Sequence, residues 1–233
     1  IPVSIGHYTT MSPSEKTNYT FHIPAPCFDP VQVLFTDEHL LVVCKPSGLL
    51  SVPGRIVKDC VLNRMLVDYP DVRTVHRLDL DTSGLMMLAL SQKATSDLNR
   101  QFRERTIQKE YIALVHGVLD KEEGEIDLPI RPDPDNRPLQ VVDLESGKAS
   151  LTRYQVMDAA EGYSRVKFMP VTCRSHQLRL HLSAIGHPTL GCDLYAHEEA
   201  FKARDRLSLH ASKIQFDHPE TKERVTFEAP VPF

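Results

Sequence analysis

Apolar and polar residues alternate with a period of two along most of this chain, which predicts β-strands joined mainly by hairpins. A helical period appears at three places: after Asp59, over residues 93–105, and after Ser175, with Asp59 and Ser175 as capping residues. Residues 119–146 are acidic and proline-rich, which predicts turns. The pattern therefore predicts an α+β fold with a largely antiparallel sheet. The predicted strands are residues 31–35, 39–44, 72–80, 85–90, 107–115, 149–157, 163–171, 207–216 and 224–228.

Residues 75–90 combine a predicted strand end, a turn and an unbroken apolar run. If residues 77–81 are extended, Arg77, Asp79 and Asp81 share one face of the strand. A cation and two carboxylates would then lie beside a turn and be backed by core, where a site is expected. Asp81 has a competing structural role, because an aspartate before a turn can cap the backbone N–H groups that follow it.

The charges are unevenly distributed. At 233 residues and 26.4 kDa the chain can form one large domain or two small ones, and its 27 basic and 31 acidic residues give a net charge of −4. This balance counts against a uniformly basic nucleic-acid binder, but a basic cleft on an acidic body is compatible with it. The arginines on the predicted helix 93–105 fit either a solvated helix face or contact with RNA. The arginines near the proposed site are Arg73, Arg77, Arg100, Arg103, Arg105, Arg174 and Arg179.

Cysteine usage and hydropathy together predict a cytoplasmic protein. No apolar run approaches the length of a membrane span, and the first thirty residues lack the basic start and apolar middle of a signal peptide. Residues 1–30 are predicted to form an irregular arm. An odd number of cysteines without close pairing predicts reduced thiols. They stand at positions 27, 44, 60, 173 and 192.

Three histidines and two cysteines near the third predicted helix suggest a metal site, but their spacing argues against one. His176 and His181 are five residues apart, so they fall on different helix faces, unlike the i, i+4 pair of a zinc helix. We therefore predict no metal. The remaining candidate ligands are His187, Cys173 and Cys192.

Four short blocks occur in order along the chain: residues 45–49 (KPSGL), 76–84 (HRLDLDTSG), 109–111 (KEY) and 174–179 (RSHQLR). Their composition and order resemble the signature of the RluA family of pseudouridine synthases, which isomerise chosen uridines in RNA. The resemblance covers roughly residues 31–233, nearly the whole chain.

The resemblance implies a pseudouridine synthase fold, with a mixed, mostly antiparallel sheet, flanking helices and a central RNA-binding cleft. Residues 31–233 would be the catalytic domain, and residues 45–55 one wall of its cleft, without a catalytic role. The alternative is that residues 45–55 are only scaffold, which we favour for all of them but Lys45 and Arg55. Many relatives carry a small RNA-binding domain of the S4 type before the catalytic part. Residues 1–30 are too few for it, so we expect it to be missing. The family uses no cofactor or essential metal.

The resemblance also implies roles for residues in the central blocks. Asp79 would be the catalytic carboxylate, either attacking the base at C6 or acting on the sugar, and Arg179 would pair with it. Tyr111 would stack on the base and offer a hydroxyl for proton transfer, although a phenol that titrates near ~10 would need nearby cations to act as a base. Leu178 would line the pocket against the uracil.

The remaining implied roles concern substrate binding. Arg77 would fill the space left by the extruded uridine or hold a phosphate, and His76 would order the turn. Lys109 and Arg174 belong to the matching blocks and are expected to bind RNA.

Two other classes remain open at this stage: a hydrolase that uses Asp79 and Asp81 as paired acids, and a non-catalytic RNA-binding module. Within the family, residues 47–55, 136–138 and 186–191 resemble single-domain members that act on a 23S rRNA hairpin and the tRNA anticodon stem-loop. The chain departs from them in a longer arm before Val31 and a shorter segment after Arg55. We expect an RNA partner, no membrane and a monomer.

Overall fold

The computed structural model describes residues 23–160 and 162–233, and these form twelve strands and four helices. The strands are β1 (Gln32–Thr36), β2 (Leu40–Lys45), β3 (Arg73–Thr74), β4 (Ser83–Ala89), β5 (Gln108–His116), β6 (Glu123–Asp127), β7 (Ile130–Pro132), β8 (Gln140–Val142), β9 (Leu151–Ala160), β10 (Tyr163–Pro170), β11 (Leu209–Asp217) and β12 (Arg224–Glu228). The helices are α1 (Val61–Met65), α2 (Gln92–Glu104), α3 (Gln177–Ala184) and α4 (Glu198–Lys202).

Ten of the described strands form one sheet, in the order β1-β2-β4-β11-β5-β10-β9-β6, with β3 added to β4 and β12 to β11. Strands β7 and β8 pair separately. Within the described ranges, β4 and β11 are the single parallel pair, joined where Ser83 lies opposite His210 and Gly84 opposite Ala211. The remaining pairs are antiparallel, so the predicted α+β class with a mostly antiparallel sheet is confirmed.

Strand β4 is buried on both faces, as its unbroken apolar run predicts. Leu85 and Met87 pack on the α2 side of the sheet in one core with Leu98. Met86 and Leu88 point the other way, into a second core that includes α1. Strand β4 therefore lies between two hydrophobic layers. Its burial fixes the C-terminal end of the loop that precedes it.

Two strand predictions were wrong. The strand expected over residues 72–80 shrinks to Arg73–Thr74, because the backbone beyond it bonds to distant side chains instead of a neighbouring strand. Residues 119–146, expected to be turns, contain β6, β7 and β8. Acidic residues and prolines are tolerated there because β6 is a largely exposed edge strand and β7–β8 is a short separate hairpin.

The helix caps also differ from the predictions. Helix α1 is capped by the Cys60 sulfur, while Asp59 pairs with Arg64 at 2.7 Å. The N-cap residue of helix α3 is His176, in the left-handed region with φ of 55°, and not the predicted Ser175. Helix α4 was not predicted, since one and a half turns are too short for a clear period.

The expected arm over residues 1–30 falls mostly on residues 1–22, which lie outside the described part of the chain. Residues 23–31 contain no helix or strand. None of the helices in the described ranges is long and apolar enough to cross a bilayer.

The parallel junction of the sheet depends on Gly84. Its φ of +112° disfavours any side chain, and a Cβ atom would lie 2.6 Å from the Ala211 backbone nitrogen. We expect Gly84→Ala to lower the free energy of unfolding by roughly 2–4 kcal/mol, because two backbones would have to separate. Urea denaturation followed by circular dichroism measures this change.

Gly186 provides the matched control. Its φ is also positive, at +85°, but a Cβ atom there would meet no atom within 4 Å. Gly186→Ala should therefore cost only the backbone strain, about 1 kcal/mol. Equal losses in the two variants would show that backbone conformation, and not the close approach of the strands, governs Gly84.

Candidate active site

A cleft of about 350 Å³ crosses the sheet beside the junction of β4 and β11. Its walls come from the loop before β4, the C-terminal end of α2, strand β5 and the segment that leads into α3. All eight residues that the sequence indicated for catalysis or substrate binding line this cleft. They are His76, Arg77, Asp79, Lys109, Tyr111, Arg174, Leu178 and Arg179.

The loop that carries Asp79 is held by side chains from the segment after β2. Ser51 Oγ accepts a hydrogen bond from Leu78 N at 3.0 Å and donates one to Leu78 O at 2.7 Å. Ser47 Oγ donates to Asp81 O at 2.7 Å. Residues 45–55, expected as a wall of the cleft, do not line it but support the loop from outside. Their side chains bond to backbone groups of the loop that a longer β3 would have paired with a neighbouring strand.

Lys45 is the deepest of these supports. Its side chain is completely buried, and its ammonium group has three N–H donors matched by three carbonyl oxygens. Burial lowers the pKa of Lys45 to about 7, against the opposing attraction of Asp81 and Asp79. Lys45 and Arg55 were expected to belong to the wall of the cleft, but neither of them lines it. The acceptors are Pro46 O (2.9 Å), Leu49 O (2.7 Å) and Leu80 O (2.7 Å).

Arg179 is buried below the cleft and bonds to a different acid from the one expected. Its Nη2 donates to Asp193 Oδ1 at 2.5 Å and to Cys192 Sγ at 3.2 Å. The predicted ion pair with Asp79 is not formed. Burial alone would lower the pKa of this guanidinium, but Cys192, Asp193 and Asp79 together raise it above its ordinary value. The charge of Arg179 thus acts on Asp79 across a gap, without a direct bond.

Tyr111 lies on β5, between Ala211 of β11 and Phe168 of β10, and its hydroxyl has no hydrogen-bond partner among the described residues. Burial, followed by the proximity of Cys173 and Asp79, raises the pKa of the Tyr111 hydroxyl above its ordinary value. The phenolate is disfavoured, so the ring is better suited to stacking than the hydroxyl is to accepting a proton.

Leu178 supplies the apolar part of the cleft. It lies in the first turn of α3, is 7% exposed, and packs in the core with Leu182 and Phe168. Its remaining surface faces the cleft. An aliphatic side chain held in this way can cover one face of a planar base.

His76 connects the loop to the backbone of β4. Its Nε2 accepts a hydrogen bond from Met87 N at 2.9 Å, which completes the edge of β4 where β3 ends. Its ring lies 5.1 Å from that of Phe102. Burial, with a smaller contribution from Lys109, lowers the pKa of His76 to about 3, so the ring is neutral. The next residue, Arg77, is thereby directed to the exposed mouth of the cleft.

The mouth of the cleft is positively charged. Arg77, Arg174 and Lys109 line it, and none of them forms an ion pair with a described residue. Lys109 lies 5.8 Å from the centre of the Phe102 ring and contacts the Cys173 sulfur. These three cations are therefore available to an anionic ligand, which is what phosphate binding requires.

The arginines of α2 divide into two kinds. Arg100 bonds to Asp97 at 2.8 Å and to Glu104 at 2.6 Å, so it belongs to an ion-paired helix face. Arg103 and Arg105 are exposed at the end of the helix that borders the cleft. Arg100 therefore fits the prediction of a solvated helix face.

Three site residues were not found from the sequence: Asp193, Tyr195 and His176 as a member of the cleft. Tyr195 Oη accepts from Gln140 N at 2.9 Å and bonds to His176 Nδ1 at 2.7 Å, and its ring lies 5.6 Å from the Arg179 guanidinium. A signal was present, because a buried arginine requires an acid. Asp193 lies two residues after the block at 186–191, which already carried the family resemblance.

The histidines and cysteines considered as metal ligands have other partners. His181 bonds through both ring nitrogens, to Thr152 Oγ1 at 3.0 Å and to Leu128 O at 2.9 Å. Within residues 23–160 and 162–233, no three His, Cys, Asp or Glu side chains gather closely enough to hold a metal ion.

The cleft therefore combines a carboxylate, a buried guanidinium, an aromatic ring and a cationic mouth. This set suits an enzyme that binds a flat group of a polyanionic substrate in a pocket.

Comparison with known proteins supports an enzyme of this kind. The sequence model of the RNA pseudouridylate synthase family matches residues 39–184. The dual-specificity RNA pseudouridine synthase RluA of Yersinia pestis is 50% identical over 204 residues, which cover 86% of this chain and 99% of the relative.

The corresponding protein of Escherichia coli K12 is 48% identical, with 86% of this chain and 93% of the relative covered. Among solved structures, human RNA pseudouridylate synthase domain containing 1 superposes with a TM-score of 0.76 at 28% identity, covering 91% of this chain and 87% of its own. The chain therefore belongs to the RNA pseudouridylate synthase family, in its RluA branch, and is an RNA-modifying isomerase. The resemblance and the fold that it implied are confirmed.

Lys45 offers a test of how the loop is held. Lys45→Met keeps the length and apolar stem of the side chain but leaves Pro46 O and Leu49 O without a donor, while Leu80 O keeps its bond from Gly48 N at 3.0 Å. We expect the free energy of unfolding to fall by about 2 kcal/mol or more, because each buried unsatisfied acceptor costs about 1–3 kcal/mol. Urea denaturation gives the value.

Lys58→Met is the control, because Lys58 also donates to two backbone carbonyls, Gly54 O at 2.9 Å and Arg55 O at 3.2 Å, but is exposed. This variant should change stability by less than about 0.5 kcal/mol. Similar losses in both variants would mean that burial of the Lys45 ammonium contributes nothing special.

Proposed function

We propose that this enzyme extrudes a uridine from an RNA stem-loop, stacks its uracil against Tyr111 and Leu178, and uses Asp79 as the catalytic carboxylate. The observation that carries the proposal is the convergence of the eight residues on one cleft. Asp79 lines this cleft, and its carboxylate is close enough to influence the pKa values of Tyr111, Arg179 and Lys45.

The chemistry sets the requirements. Pseudouridine formation breaks the N1 glycosidic bond, turns the uracil, rejoins it through C5 and removes the C5 proton. An ionised carboxylate must reach the base or the sugar, so its oxygens must be unobstructed. Because Arg179 bonds to Asp193 and not to Asp79, both oxygens of Asp79 are left for the substrate.

The cationic mouth would bind the backbone around the extruded nucleotide. Extrusion costs a few kcal/mol of lost stacking, and Arg77 at the mouth can insert its planar cation or hold the displaced phosphate. Arg174 and Lys109 would contact neighbouring phosphates. The alternative of a two-carboxylate hydrolase lacks its second acid, because Asp81 does not line the cleft.

We extend the proposal to stem-loops of 23S rRNA, the tRNA anticodon arm, or both. The support is the identity of about 50% to relatives named as dual-specificity RNA pseudouridine synthases, over nearly their whole length, together with the sequence blocks at 47–55, 136–138 and 186–191. Residues 31–233 would act as one catalytic domain. A cytoplasmic, monomeric and cofactor-free enzyme remains the expectation from the sequence.

The central assignment is tested by exchanging one carboxylate for an amide. Asp79→Asn should fold and bind RNA but lose activity by roughly 10⁴-fold or more, because the attacking or stabilising oxygen is no longer charged. Tritium release to water from RNA carrying 5-tritiated uridine measures the reaction directly.

Asp81→Asn is the matched control, two residues away on the same loop. This variant should keep most of the activity, since the side chain lies outside the cleft. Comparable activity in the two variants would overturn the assignment of Asp79.

The cationic mouth is tested through the salt dependence of RNA binding. Arg174→Gln should reduce the slope of log K against log salt by about 1, because one fewer phosphate contact releases its counterion. Filter binding between about 50 and 200 mM salt gives the slope.

Arg153→Gln is the control for this measurement. Arg153 is paired with Glu125 at 2.8 Å and does not line the cleft. Its slope should match that of the unmodified protein. A flat salt response in the unmodified protein would remove the phosphate contacts from the proposal.

A further inference from the structure

His176 lies in the cleft without a role in the chemistry described above. It begins α3 in the left-handed region, with φ of 55° and ψ of 15°, a conformation that costs a side chain about 1–2 kcal/mol. Residues held in this way recur at functional sites, because the strain fixes a side chain in a chosen direction. The direction here is set by one partner, Tyr195.

The hydrogen bonds of Tyr195 decide which nitrogen of His176 carries the proton. Tyr195 Oη already accepts from Gln140 N at 2.9 Å, and its own hydrogen has no other acceptor among the described residues than His176 Nδ1, at 2.7 Å. If Nδ1 were protonated, the phenolic hydrogen would be left without an acceptor. The satisfied arrangement therefore has Tyr195 donating to Nδ1, which places the imidazole hydrogen on Nε2.

The Nε2 atom faces open space in the cleft. It has no hydrogen-bond partner among the described residues and is not one of their buried, unpartnered polar atoms. Burial lowers the pKa of the ring; Asp79 and Asp193 oppose this, and Arg179 and Arg77 reinforce it. A neutral N–H donor is thus presented beside the catalytic carboxylate.

We propose that His176 donates a hydrogen bond from Nε2 to a carbonyl oxygen of the extruded uracil, and that Tyr195 is the positioning residue that fixes this tautomer. The proposal rests on the proposed entry of uridine into this cleft, but not on which RNA supplies it. Tyr111 and Leu178 would cover the faces of the base, so its polar edge must find partners on the remaining wall, where His176 lies.

The chemistry gives this bond a catalytic use. When the N1 glycosidic bond breaks, the electron pair stays on the uracil and spreads over N1 and the carbonyl oxygens. A neutral donor already directed at one of those oxygens binds the charged form more strongly than the uridine. Removal of the donor should therefore lower the rate of the chemical step more than it weakens RNA binding.

Two substitutions separate the donor from the fold. Asn tolerates the left-handed region and places its amide near the position of Nδ1, so His176→Asn can keep the bond to Tyr195 but lacks a group at the position of Nε2. We expect its single-turnover rate to fall about 10- to 100-fold with little change in melting temperature. His176→Gln, whose amide N–H extends toward the position of Nε2, should retain more of the rate.

The decisive measurement changes the substrate as well as the enzyme. A short RNA whose uridine the unmodified enzyme converts is prepared with 2-thiouridine or 4-thiouridine at that position, because sulfur accepts hydrogen bonds poorly. The unmodified enzyme should be slower on one of the two, and His176→Asn should show no further loss on it. An equal thio penalty in both enzymes, or no penalty in the unmodified enzyme, overturns the proposal.

The role of Tyr195 is tested in the same assay. Tyr195→Phe should slow the unmodified enzyme but add nothing to His176→Asn, because its effect passes through the imidazole. An additive loss would mean that Tyr195 acts by another route.

The tautomer is measured without RNA. Two-dimensional ¹⁵N NMR of the histidine rings should show His176 protonated at Nε2 at neutral pH, and protonation at Nδ1 would contradict the proposal. If the proposed 23S rRNA and tRNA stem-loops prove not to be substrates, that assignment fails by itself. The tautomer and the thio coupling on whichever RNA is converted still decide the role of His176.

Discussion

The bond between the Lys45 ammonium and the carbonyl of Leu80 is the interaction on which the site depends. It ties the end of β2 to the loop that carries Asp79, within a core from which water is excluded. Ser51 and Ser47 add three bonds to the same loop. A loop held only by its own backbone could not keep a carboxylate in one position. Here the rigidity of the sheet is passed through side chains to Asp79, the proposed catalytic residue.

A second consequence concerns the charge balance around Asp79. A direct bond from Arg179 would fix the carboxylate but occupy an oxygen that the reaction needs. The structure separates the two tasks: Asp193 and Cys192 hold the guanidinium, and Arg179 then influences Asp79 through space. The Tyr195 ring packs against the same guanidinium. The guanidinium is thus held in place without a bond to Asp79, which is the preorganisation that the proposed chemistry would use.

The sequence predicted those features that depend on local pattern. The hairpin of β1 and β2, the buried β4 and the helix α2 all follow from periodicity, because their neighbours are close in sequence or uniformly apolar. The strand predicted beyond Thr74 was wrong because these residues bond to Ser47 and Ser51, roughly thirty residues earlier. The eight cleft residues were found through a family resemblance. Asp193 was missed because Arg179 was expected to pair with Asp79, and spacing alone does not show which acid a buried arginine meets.

The net charge of −4 is reconciled with an RNA substrate by where the acids lie. On the body of the protein, acids neutralise nearby cations, as Glu125 does with Arg153 and Asp143 with Arg131. At the mouth of the cleft no described acid pairs with Arg77, Arg174 or Lys109. An approaching phosphate therefore meets unpaired cations at the mouth of the cleft, whereas Arg131 and Arg153 on the body are already paired with acids. A net negative charge, which counts against RNA binding when charges are only summed, is thus compatible with RNA binding at the cleft.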